Sequence, residues 1–156
     1  MDVPFLEVSG SSYEMGLAVG RAFSARLRAF LAFKRNQACG PGTASTAHVA
    51  EAGAVLQDWC REGASHLLDE IRGYAAGAGV TLDDLVWLNS GDEARARATL
   101  APSDGCTGFA LTPDVTGDAM LAGQSKDGPG AQNEHYIVLL MRPTDRPAVL
   151  QLVYPG

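Results

Sequence analysis

At 156 residues, with 46% hydrophobic and 19% charged side chains, the chain has enough apolar material for one folded domain and a globular composition. Its formal charge of −6 argues against a nucleic-acid surface, which needs Lys and Arg in surplus on one face. No basic-then-apolar leader opens it, and no apolar run approaches the roughly 20 residues that span a bilayer.

The three cysteines, Cys39, Cys60 and Cys106, lack CxxC spacing, so neither a disulfide framework nor a zinc site is expected. Together these features predict a cytoplasmic protein that meets neither nucleic acid nor membrane. In that compartment a thiol stays reduced and available.

Phe5-Leu6-Glu7-Val8 alternates and predicts a short strand, and Ser9-Gly10-Ser11-Ser12 then supplies helix caps. From Tyr13 to about Gln37 the period is helical, with Met15, Val19, Phe23, Leu27, Phe30 and Leu31 on one stripe. Gly16 and Gly20 lie inside it, each costing about 1 kcal/mol against Ala. Either close packing on another backbone compensates, or a stable helix tolerates them. Arg21, Arg26, Arg28, Lys34 and Arg35 are expected to form a solvated basic face.

Ala38 to Ala47 reads as a loop that carries Cys39. A second long helix is predicted from about Ala47 to Ala76, with Val49, Val55, Leu56, Trp59, Cys60, Leu67, Leu68, Ile71 and Tyr74 inward and Gly77 and Gly79 at its end. His48 and His66 have no acid or cysteine at ligand spacing. Thr81 caps a third helix, with Leu82, Leu85, Val86 and Leu88 as its apolar side, ending near Asn89-Ser90-Gly91. Asp92 to Leu100 is a last turn or an exposed connection, and Ala101 to Gly105 is a loop by composition.

At Cys106 the grammar changes from helices to strands. Cys106–Thr112 and Ala119–Ser125 read as a hairpin, and Tyr136–Arg142 and Ala148–Tyr154 as two further strands. Tyr136–Arg142 is almost wholly apolar, as a strand covered on both faces would be. The chain therefore divides into a mainly helical segment, 1–105, and a β-rich segment, 106–156. A sheet that stops at its fourth strand reads as the first part of a longer protein.

The border itself, Ser103-Asp104-Gly105-Cys106-Thr107, has the residues for self-cleavage. Gly105 has no Cβ to block attack by the Cys106 thiol on its carbonyl, and it tolerates a strained backbone. The product would be an N-terminal Cys106 whose α-amine, titrating at about 7.7–8.0, can take the thiol proton. No Cys–His pair is evident, Ser103 has no nearby histidine, and there is no Gly-x-Ser-x-Gly elbow. The competing reading is an uncleaved, catalytically silent structural or binding domain in which Cys106 is a small core residue.

Three stretches together resemble the acyl-coenzyme A:6-aminopenicillanic-acid acyltransferase (isopenicillin N acyltransferase) family of autoproteolytic N-terminal-nucleophile hydrolases. Gly10-Ser11-Ser12-Tyr13-Glu14-Met15-Gly16-Leu17-Ala18-Val19-Gly20 is similar to its Gly-x-x-Tyr-x-x-Gly-x-x-x-Gly opening. Asp104-Gly105-Cys106-Thr107 resembles its processing site. Gly123-Gln124-Ser125-Lys126-Asp127 is similar to its Gly-Gln-Asn/Thr-x-Asp segment.

The resemblance implies an α+β protein: the first part of an αββα N-terminal-nucleophile fold behind a helical N-terminal segment. It implies cleavage between Gly105 and Cys106, Cys106 as nucleophile, and Asp127 across the hairpin orienting the freed amine or a polar substrate group. The residue's other reading is a turn aspartate before Gly128-Pro129-Gly130. The implied activity is amide hydrolysis or acyl transfer through a Cys106 thioester on a small amide or acyl substrate, with acyl-coenzyme A a conceivable donor. That route needs no metal or organic cofactor.

The cleaved segments would stay together as two subunits. Ser125-Lys126 stands where the penicillin enzyme has asparagine and an aromatic residue, which favours the broader branch of the family over penicillin substrates. The family's oxyanion-hole donors follow the fourth strand, so residues 1–156 alone are expected to be inactive.

Overall fold

Local signals start and stop the helices. Ser11 caps α1 (Ser12–Ala22) in a reciprocal box: its hydroxyl accepts from the Glu14 N–H at 3.3 Å, and the Glu14 carboxylate accepts from the Ser11 N–H at 2.9 Å. These Ser11 hydrogen bonds hold the Glu14 carboxyl below its ordinary range. The computed structural model describes residues 2–37, 46–99, 106–125 and 130–155. The loop with Cys39, together with Ser103, Asp104, Gly105, Lys126 and Asp127, lies outside them.

The first predicted helix is two. α1 ends at Phe23, which leaves helical geometry with φ −115° and ψ 22°, and α2 spans Ser24–Gln37. Hydrogen bonds from the Phe23 N–H to Val19 O and from the Leu27 N–H to Phe23 O bridge the bend, so the apolar period runs through it. Met15, Val19, Leu27, Phe30 and Leu31 are buried as the stripe predicts.

The second predicted helix also divides, at Ala64, into α3 (Thr46–Gly63) and α4 (Ser65–Ala78). Its stripe is only partly inward. Val49, Cys60, Leu68 and Tyr74 are buried, whereas Trp59 is 76% exposed and Val55 and Leu67 are exposed too. The break lets the two halves serve different neighbours, α3 packing on α5 and α4 on α1. Gly77 lies inside α4, and Gly79, at φ +68°, ends it in the left-handed conformation.

α5 (Leu82–Thr99) runs past the predicted stop at Ser90. Thr81 begins it: its Oγ1 accepts from the Asp84 N–H at 3.1 Å and Asp84 Oδ2 accepts from the Thr81 N–H at 3.0 Å. The Thr81 backbone bond, with Arg35 beside it, keeps the Asp84 carboxyl below its ordinary range. Thr81→Ala is expected to cost about 1 kcal/mol in a chemical-denaturation titration.

α1 and α4 cross at glycines on both sides. A Cβ on Gly16 would lie 3.0 Å from Tyr74 N, and one on Gly20 3.0 Å from Ala78 N. One on Gly73 would lie 2.7 Å from Leu17 N, and one on Gly77 2.8 Å from Arg21 N. Of the two readings of Gly16 and Gly20, close backbone packing is the one found.

The strands of the described residues form two sheets. β1 (Phe5–Gly10) runs parallel to β4 (Ile137–Pro143), and β5 (Val149–Val153) pairs antiparallel on the far side of β4, giving the order β1-β4-β5. β2 (Gly108–Leu111) and β3 (Leu121–Gln124) make a separate antiparallel hairpin. The chain is thus mixed α+β, and its N-terminal segment contributes an edge strand to the C-terminal sheet.

Ile137, Leu139 and Met141 of β4 and Val8 of β1 are buried in one core with Met15, Val19, Leu27, Tyr74 and Leu85. The opposite face of β4 is only half-buried, so this strand is not covered on both sides. Register puts Phe5, Val138 and Leu152 in one row on that face and Leu140 and Leu150 in another. Phe5, Leu150 and Leu152 are 58%, 67% and 55% exposed, which leaves an apolar sheet face uncovered. The exposed ion pair between Arg142 Nε and Glu7 Oε1, 2.6 Å, ties β4 to β1.

The basic residues of α2 are staples between elements rather than only a solvated face. Arg28 Nη1 donates to Ala78 O at 2.7 Å, capping a carbonyl at the end of α4. Arg35 pairs with Asp84 and lies over Trp87, and Arg26 donates to the carbonyls of Glu134 and Tyr136. No helix among the described residues is long and apolar enough to cross a membrane.

Candidate active site

Cys106 stands two residues before β2, half-buried, with its thiol outside any disulfide. Its neighbour Thr107 is locked to Ser125 in both directions. The Thr107 N–H donates to Ser125 Oγ at 3.0 Å, and the Ser125 N–H donates to Thr107 O at 2.8 Å. These bonds extend the Gly108↔Gln124, Phe109↔Gly123, Ala110↔Ala122 and Leu111↔Leu121 register by one pair. Two segments 18 residues apart therefore meet at one end of the hairpin, Cys106-Thr107 on one strand and Gln124-Ser125 on the other.

The sequence reading brought Asp127 to Cys106 across this hairpin. The pairing is seen as far as Ser125, and Asp127, like Gly105 on the other side of the expected cut, lies beyond the described residues. Ser125, read earlier only as a departure from the family motif, is the residue whose side chain fixes the backbone next to Cys106. A hydroxyl one pair from the strand end is weak as a sequence signal, because serine there is common in any turn.

The far end of the hairpin is closed by the one-turn helix α6 (Pro113–Thr116). Thr116 Oγ1 donates to Ala119 O, and Gly117, at φ +100°, turns the chain back. A hydrogen bond with the Thr112 side chain holds the Asp114 carboxyl below its ordinary range.

Within the hairpin, Phe109 lies across its partner Gly123, where a Cβ would come 2.6 Å from the ring Cζ. Gly123 thus makes room for an aromatic on the opposite strand. Alternation puts Phe109, Leu111 and Leu121 on one face, and all three are exposed. The hairpin, like the three-stranded sheet, has an uncovered apolar face.

Of the histidines, His48 is on α3, His66 on α4, and His135 in the 3₁₀ turn Gly130–His135. Among the described residues no cluster of three or more His, Cys, Asp or Glu could hold a metal ion.

A second polar cluster, not foreseen from sequence, joins the turn after β4 to α1 and α4. Arg146 donates to the hydroxyl of the buried Ser12 and lies 3.6 Å from Asp145 Oδ1. Burial raises the Glu70 carboxyl above its ordinary range, with the Arg146 charge opposing. Burial, with Glu70 as a lesser cause, also raises the pKa of the Tyr74 hydroxyl.

A raised carboxyl favours the fold below its unfolded pKa, and that contribution is lost as pH rises through the folded value. Glu70→Gln is therefore expected to raise the melting temperature at neutral pH. The gain should shrink in acid, where Glu70 is itself protonated, and melting curves at both pH values check this.

Compared with protein-family models, the chain matches none, and compared with curated proteins it gives no significant match.

Proposed function

We propose that this chain belongs to a self-processing cysteine amide hydrolase or acyltransferase of the N-terminal-nucleophile type, cut between Gly105 and Cys106. The observation that carries the reading is the double hydrogen bond between Thr107 and Ser125, which joins the segment around Cys106 to the Gly123–Ser125 segment at one strand end. Those are two of the three stretches that resemble the acyltransferase family. The third gains a packing rationale from the α1–α4 crossing at Gly16 and Gly20.

The chemistry follows from one residue. The Cys106 Sγ attacks the Gly105 carbonyl carbon, the C–N bond breaks, and the nitrogen takes up the proton. A thioester and a free α-amine result. Water then attacks the thioester, releasing the Gly105 carboxylate and the Cys106 thiol.

In turnover the α-amine accepts the thiol proton, Sγ attacks an amide carbonyl, and the departing amine receives the proton. Water or an amine acceptor discharges the acyl-thioester. Asp127 orients the amine, and the substrate is a small amide or acyl compound.

An αββα sandwich is supported by the two uncovered apolar sheet faces, Phe5, Val138, Leu140, Leu150 and Leu152 on one and Phe109, Leu111 and Leu121 on the other. Burying such faces against each other is the usual way two sheets gain stability.

Intact mass of the full-length protein tests the proposal. Two fragments, the second beginning at Cys106, support it. A single chain whose Cys106 ignores thiol-directed acyl probes overturns it in favour of a structural or binding domain.

A further inference from the structure

The 3₁₀ turn Gly130–His135 is seated on α2 through rings. The His135 ring lies 5.2 Å from Phe30 and 5.6 Å from Phe33, centroid to centroid, tilted by 45° and 39°. Phe30 is 2% exposed and stacks at 4.3 Å on Tyr154, which stacks at 4.4 Å on Tyr136. The Tyr154 hydroxyl is 2.6 Å from Oε1 of the buried Gln132 and 2.8 Å from the Tyr136 hydroxyl. Arg26 clamps the same turn through the carbonyls of Glu134 and Tyr136.

We propose that His135 is a proton-operated latch: neutral, it seats the Gly130–His135 turn against Phe30 and Phe33 of α2, and protonated, it releases that turn. Burial favours the neutral form, and the charged groups around it act in both directions, Glu134 towards the protonated form and Arg26, more weakly, towards the neutral one. α2 offers two cations, Arg26 and Lys34, the latter 5.9 Å above the Phe30 ring. The turn itself offers one carboxylate, Glu134, while the β4 and β5 ends offer the Tyr136 and Tyr154 hydroxyls.

Burial is the largest cause that lowers the His135 pKa from its ordinary value, with Arg26 adding and Glu134 opposing. The sign follows: seating is complete above the ordinary histidine value of about 6.5 and is lost as pH falls through the lower, seated value. Release would loosen the entry into the central strand β4 from the hairpin side. This inference rests on ring packing and holds whether or not Cys106 is a nucleophile.

Proton NMR of the intact protein between pH 8 and pH 5 tests it, the chain having three histidines to assign. The His135 midpoint should fall below the ordinary histidine value of about 6.5, and the Phe30 and Tyr154 ring signals should move with it. Amide protection across Gly130–His135 should drop about tenfold for each unit separating the seated and released pKa values.

His135→Phe, which keeps a ring without a titrating proton, should retain that protection at pH 5. A His135 midpoint at or above about 6.5, or Phe30 and Tyr154 signals that do not follow it, overturns the latch. Should His135→Phe fail to fold, the wild-type titration still decides.

Discussion

Gly73→Ala is expected to lower the melting temperature by on the order of 10 °C, although alanine is the better helix former. Two effects oppose each other. Replacing glycine inside a helix gains about 1 kcal/mol of propensity. The new methyl, however, would sit 2.7 Å from Leu17 N, with the Gly16 carbonyl carbon at 3.0 Å.

Those are backbone atoms of α1, which cannot rotate aside as a side chain can. Separating the helices instead would open the core around Met15, Val19 and Tyr74. Overpacking typically costs about 1–3 kcal/mol and occasionally more, and a backbone collision belongs at the upper end. The clash wins.

Gly63→Ala is the control, because nothing lies within 4 Å of its missing Cβ. It should leave the melting temperature unchanged or slightly raised. If Gly73→Ala behaves like Gly63→Ala, the glycine crossing does not hold α1 to α4.

Cys106→Ala is expected to yield a single uncut chain with no acyl-enzyme and a loss of turnover on the order of 10⁶. The magnitude follows from removing the proposed attacking atom itself, and with it the thioester through which the proposed cleavage and turnover would pass. Folding should survive, since Cys106 is only half-buried and is not a member of the buried core. A thermal melt close to wild type makes the loss chemical rather than structural.

In the wild type, the two fragments should separate on a denaturing gel yet travel together under native conditions. β1 precedes the proposed cut and β4 follows it, and six consecutive residue pairs from Phe5↔Val138 to Gly10↔Pro143 join them. Fragments that part under native conditions would contradict that pairing. A cleaved Cys106→Ala chain would contradict the nucleophile.

Local order was legible in the residues. The Ser11 and Thr81 starts, the apolar stripe from Met15 to Leu31 and the existence of all five strands follow from capping chemistry and hydrophobic period, which neighbours in sequence set between them. The Cys106 hairpin was legible for the same reason, since its strands are close in the chain and its turn contains proline and glycine.

The breaks at Phe23 and Ala64 were not. No proline marks them, and the period continues through both, so only the need to pack α3 on α5 and α4 on α1 divides the second helix. Trp59 was expected inward from its period, but the half-helix that carries it turns that side to solvent.

What the sequence determined by itself was the grammar: a mainly helical first part, strands after Cys106, a thiol at the border, and two glycines in α1 that left close packing on a neighbour and mere tolerance both open. Tertiary structure alone decided that the neighbour is α4 with Gly73 and Gly77, and that the strand before α1 pairs parallel with β4. It also brought His135 onto Phe30 and Phe33. The reason is physical: caps and periods are energies between residues a few positions apart, whereas these pairings join residues far apart in the chain and are selected only by the shape and burial of the whole core.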